Sequence, residues 1–101
     1  MQVHIKVDPA DSTRRVEQVV HYFSPGLEGV VESLEIDVAS LNDPFKKQLF
    51  QCRVAIKPLH GEALEFEETQ ADLVLAVTRV LDRTARTIKR RQTVRHLARQ
   101  A

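Results

Sequence analysis

A chain of 101 residues, 43% hydrophobic and 29% charged, is expected to form one domain (1–101) with a real core and no disordered or repetitive tract. Its longest apolar run, Leu73–Val77, is too short to span a bilayer, its start lacks a secretory signal pattern, and one cysteine allows no internal disulfide, so a cytoplasmic location is expected. The formal charge of +1 conceals a segregation: residues 79–101 carry eight basic side chains against one acid, net +7, and residues 1–78 carry seven against thirteen, net −6.

Val3, Ile5 and Val7 alternate with Gln2, His4 and Lys6, the period of a strand with one buried face. Asp8-Pro9 ends it. Asp11 or Ser12 can cap a helix whose Val16, Val19, Val20 and Phe23 recur at i, i+3, i+4, i+7. Ser24-Pro25-Gly26 is expected to break that helix, and Leu27 to Val31 fits either a short helical turn or the approach to a strand. Leu34, Ile36 and Val38 mark a second strand, followed by a turn at Asn42-Asp43-Pro44. Phe50, Cys52, Val54 and Ile56 mark a third, and Pro58 to Gly61 a hairpin connection. Leu64 and Phe66, alternating with Glu65 and Glu67, mark a fourth.

Thr69 and Asp72 resemble a capping box opening a long helix, with Leu73, Ala76, Val77, Val80, Leu81, Thr84 and Ile88 on one side. From Thr69 to Leu97 such a helix would be about 42 Å long, whereas the strands cover about 20–30 Å. The tail from about residue 92 should therefore project or fray. Val94, Leu97, Ala98 and Ala101 repeat at helical spacing on a different side, which argues for a break near Arg91 to Thr93 or a separate partner contact.

The order β-α-β-β-β-α predicts an α+β fold. The first two strands should pair in parallel through a right-handed crossover, and the later ones through antiparallel hairpins. Each strand alternates and so has one wet face. Both helices should cover the other face of a four-stranded mixed sheet, as a two-layer sandwich.

Arg79, Arg83, Arg86 and Arg90 are spaced i, i+4, i+7, i+11 and form a stripe about 130° from the core side of the last helix, with Lys89 beside it. Such a stripe is either a solvated helix face or a surface matched to phosphates. Nothing points to an enzyme. Cys52 sits at an inward strand position, where a small core hydrophobe is expected, and His4, His21, His60 and His96 lack the spacing of a metal site. No glycine loop cradles phosphate, so no cofactor and no small-molecule substrate is expected. Glu62, Glu65, Glu67 and Glu68 form either a solvated sheet edge or a dock for a basic protein. Tyr22 and Phe45 are the aromatics placed to stack on bases.

The layout, and the stretch Asp72-Leu73-Val74-Leu75-Ala76-Val77-Thr78-Arg79-Val80-Leu81-Asp82-Arg83 preceded by Phe66-Glu67-Glu68-Thr69, resemble the ribosome hibernation factors, also called sigma modulation or ribosomal subunit interface proteins. The resemblance implies a fold related to double-stranded-RNA-binding domains. It also implies binding to rRNA in the decoding region of the small ribosomal subunit, blocking tRNA and mRNA and idling the ribosome under stress. The chain would be a short form, or a diverged relative whose target has changed, expected to be monomeric off the ribosome and without the C-terminal dimerisation domain of long members. In that comparison Arg79, Arg83, Arg86, Lys89 and Arg90 match the rRNA-contacting residues of the second helix, and Arg14 and Arg15 those of the first. The first helix departs from the pattern, because it is expected to be cut short and carries Glu17. The other function open to the residues is a protein-interaction module with no nucleic-acid role.

Overall fold

A computed structural model of the chain describes residues 1–42, 45 and 47–100, the side chains of Asn42 and Gln100 excepted. Its elements are β1 (Gln2–Val7), a 3-10 turn at Ala10–Ser12, α1 (Thr13–Leu27), β2 (Val31–Asn42), β3 (Gln48–Pro58), β4 (Leu64–Gln70) and α2 (Leu73–Gln100). The sheet order is β1-β2-β3-β4, with β1 parallel to β2 and the other neighbours antiparallel. The Asp43-Pro44 part of the expected turn lies outside the described residues.

Strand alternation becomes rows of side chains across the sheet. On the inner face, Val3, Leu34, Ile56 and Leu64 form one row, Ile5, Ile36, Val54 and Phe66 the next, and Val7, Val38, Cys52 and Glu68 a third. The β2 and β3 members are fully buried, because both helices cover the middle of the sheet. Val16, Val20 and Leu27 of α1 join this cluster, as do Leu73, Ala76, Val77, Val80, Leu81 and Ile88 of α2. Thr84 is the one buried polar side chain among the described residues, and its hydroxyl donates to the Val80 carbonyl at 2.8 Å. All seven residues assigned to the core side of α2 are therefore buried. Among the described residues, no buried side-chain nitrogen or oxygen lacks a hydrogen-bond partner.

Four local expectations are corrected. First, α1 does not break at Ser24-Pro25-Gly26 but runs on to Leu27, with Glu28 N–H bonded to the Ser24 carbonyl at 2.9 Å. Leu27 falls at i+7 from Val20 on the same stripe, and its burial, worth about 1.5–3 kcal/mol, offsets much of a mid-helix proline's cost of about 3 kcal/mol. The actual stop is Gly29, at φ +82°, a left-handed conformation that suits glycine. Second, Ser12 holds the N-cap position of α1 without a side-chain bond, and Thr13 Oγ1 instead donates to the Ala10 carbonyl at 2.7 Å. Third, Thr69 lies in β4, and Asp72 alone caps α2, its Oδ1 accepting the Leu75 N–H at 3.2 Å. Fourth, α2 passes through Arg91–Thr93 without a break.

The chain β1-β2-β3-β4 fixes where the helices begin. Val7, Val38, Cys52 and Glu68 share a row, and both α1 and α2 start just beyond it. Both then return across the sheet side by side. α1 spans the sheet, but α2 has 28 residues, about 42 Å of helix, and overruns it. The molecule measures 55 × 24 × 19 Å. Its radius of gyration of 14.9 Å exceeds the roughly 13 Å of a compact chain of this length, because of that overhang.

Candidate nucleic-acid interface

The two faces of the molecule differ in charge. On the outer face of the sheet, the pairing register sets Lys6, Asp37, Arg53 and Glu67 in one row and His4, Glu35, Ala55 and Glu65 in the next. Arg53 bridges Glu65 and Glu67, each at 3.3 Å, and Gln51 donates to Glu67 at 2.6 Å. Lys57 meets Glu32 at 3.5 Å. This face is alternating, largely self-paired and slightly acidic, so it repels phosphate rather than holding it.

The helical layer carries the positive charge. Arg79, Arg83, Arg86, Lys89 and Arg90 are all exposed on α2. Arg86 and Lys89 lie near the crown, opposite the sheet. Arg79, Arg83 and Arg90 lie on one flank. The contact of Arg83 with Glu68 of β4, at 2.9 Å, identifies that flank as the one above the edge strand. α1 packs against the other flank, where Val74, Leu81 and Ala85 are wholly or partly buried. Arg14 and Arg15 are exposed in the first turn of α1, level with the start of α2. The structure therefore gathers the five α2 residues into one continuous surface and leaves Arg14 and Arg15 apart, at the far side of the helical layer.

The five are not equivalent. Arg83 is held by Glu68, whose side chain is only 14% exposed and which also accepts from Gln70 at 2.8 Å. Arg86 pairs with Asp82 one turn back at 3.1 Å, but both side chains are well exposed and such pairs are worth a few tenths of a kcal/mol. Arg79, Lys89 and Arg90 form no ion pair among the described residues. Three cations are thus available, a fourth is released at little cost, and the fifth is committed to the fold.

Glu68 is the functional detail that sequence reasoning missed. Within the acidic cluster it shares parity with Leu64 and Phe66, so it faces the helices, whereas Glu65 and Glu67 face outward. Its role is to fasten α2 to β4, not to solvate an edge. The inward position expected of Cys52 and the outward positions expected of Tyr22 and Phe45 are observed. Cys52 is fully buried, and that burial, with the Asp37 carboxylate adding to it, pushes its thiol pKa up to about 12. Tyr22 is 79% exposed and stacks edge-on against Phe23 at 5.2 Å, and Phe45 is 84% exposed. Among the described residues, no group of three or more His, Cys, Asp or Glu could hold a metal ion, and no helix is long and apolar enough to cross a membrane.

Comparison with known proteins bears on the fold. No protein-family model and no curated protein matches the sequence. Among solved structures, the chain is similar to the N-terminal domain of Protein Y from Thermus thermophilus, at a TM-score of 0.65 and 19% identity over 89% of this chain and 98% of that one. It is also similar to a ribosomal subunit interface protein from Coxiella burnetii, at a TM-score of 0.69 and 13% identity over 92% of this chain and 99% of that one. The α+β sandwich read from the sequence is the fold of both.

Proposed function

We propose that this protein is a ribosome-associated translation regulator that binds small-subunit rRNA through the crown and β4-side flank of α2, and so idles the ribosome in the cytoplasm without catalysing a reaction. The observation that carries the reading is the segregation of charge by face: five cations on one helix surface and a self-paired, slightly acidic sheet behind it. A duplex RNA presents phosphates and 2′-hydroxyls to such a surface, which needs no base-reading residues. Likeness in fold to a ribosomal subunit interface protein supports the choice of partner. Arg14 and Arg15 make a second, smaller contact in this reading, across the helical layer from the first. The test is co-sedimentation with purified small ribosomal subunits at low salt. Binding that weakens steeply with salt supports the proposal. A protein that stays in the supernatant, or binds with no salt dependence, overturns it in favour of a protein-interaction module.

A further inference from the structure

The overhang of α2 has an underside unlike the rest of the helix. Arg91, Arg95 and Arg99 follow Ile88 at i+3, i+7 and i+11, so they continue the stripe that faces the sheet. Where the sheet ends, that stripe changes from aliphatic to arginine. Beneath it lies an open groove of about 590 Å³, walled by Val30 and Pro58 at the ends of the sheet and by His60 of the β3–β4 connection. Arg91 braces the groove, its Nη1 donating to the Glu62 carbonyl at 3.1 Å. Arg95 and Arg99 are exposed and form no ion pair among the described residues. Among the described residues, no acidic side chain lines the groove.

We infer that this groove is a docking site for an acidic protein segment anchored by apolar side chains, separate from the α2 surface proposed to meet RNA. Charge complementarity commits it to an anionic occupant, because among the described residues three arginines line the groove and no carboxylate side chain does. The floor decides which anion. Part-exposed Val30, over buried Pro58 and Ile88, gives the groove an aliphatic base between the arginines, which suits a leucine or phenylalanine side chain better than a sugar-phosphate backbone. The groove also opens on the side of α2 turned away from the crown carrying Arg86 and Lys89, so both surfaces can be occupied at once. The inference stands whether or not the ribosomal reading holds.

The test measures fluorescence anisotropy of the full chain with three labelled probes at low salt: a peptide alternating glutamate with leucine, the same peptide with serine for leucine, and a single-stranded RNA of equal charge. The leucine peptide should bind at least about tenfold more tightly than the serine peptide. Arg95→Glu with Arg99→Glu should weaken it by about tenfold or more, whereas Arg79→Ala with Arg90→Ala should leave it within about twofold. Both pairs are exposed and outside the core, and circular dichroism checks that the variants are folded. Equal binding of the two peptides, loss of peptide binding on changing Arg79 and Arg90, or RNA binding as tightly through Arg95 and Arg99 would each overturn the inference. The last result would make the groove an extension of a nucleic-acid surface.

Discussion

Glu68→Gln should strengthen the salt dependence of ribosome binding without adding a single positive residue. The wild-type carboxylate holds Arg83 at 2.9 Å from a position where its own side chain is 14% exposed. Each phosphate contact contributes roughly −0.7 to −0.9 to the slope of log K against log salt. With Arg79, Arg86, Lys89 and Arg90 engaged and Arg83 withheld, α2 should give a slope of about −3. Neutralising Glu68 releases Arg83 and should steepen this to about −4. Arg79→Ala with Arg90→Ala should flatten it by about 1.5, whereas Arg83→Ala should leave it nearly unchanged. The cost of Arg83→Ala should instead fall on the fold, at about 1 kcal/mol, because Glu68 keeps its bond to Gln70 but loses its counter-charge. The assay is co-sedimentation with small ribosomal subunits between about 50 and 200 mM salt, with urea unfolding of each variant alongside. If Arg83→Ala flattens the slope as much as Arg79→Ala does, the pairing with Glu68 does not withhold charge and the ordering of the five cations is wrong.

Leu27→Ala should destabilise the fold by about 2–5 kcal/mol in urea, since the side chain is fully buried at the end of α1 and its loss removes the reason for the helix to pass Pro25. A change below about 0.5 kcal/mol would mean that α1 ends earlier. Asp72→Ala should cost about 1 kcal/mol by removing the acceptor of the Leu75 N–H, and Asp72→Ser should restore most of it. Cys52 gives a pH signature. Its folded pKa is raised from 9.0 to about 12, so its contribution to stability is complete below pH 9 and falls as pH rises towards 12, because the unfolded chain ionises first. Unfolding free energy should therefore decline more steeply above pH 9 in the native protein than in Cys52→Ala, by about 1.4 kcal/mol per pH unit. Parallel pH profiles for the two proteins would place the thiol in water, as would rapid labelling by a thiol reagent at neutral pH.

What the sequence made legible follows from period alone. Alternation identifies the inner face of β2 and β3, and helical spacing identifies the seven buried residues of α2 among those described, because both patterns are local and the sheet is covered on one side only. The errors arose where a distant contact overrode a local signal. Pro25 and Gly26 are breakers in isolation, but Leu27 is buried in a core shared with residues distant in sequence, which no reading of residues 24–27 can supply. Adjacency groups Glu68 with its acidic neighbours, although parity with Phe66 assigns it to the helix side. The basic block shows the same limit more sharply. Its residues belong to two surfaces, and the division depends on where the sheet stops. A helix that stayed over the sheet would have to bury Arg91, Arg95 and Arg99 against its apolar inner face, at a cost of several kcal/mol per unpaired charge. Over the open groove past the sheet's end the same positions can carry arginine. The change from Ile88 to Arg91 along one stripe thus records the edge of the sheet, and the arginines beyond it are no part of the face that Arg79, Arg86, Lys89 and Arg90 present.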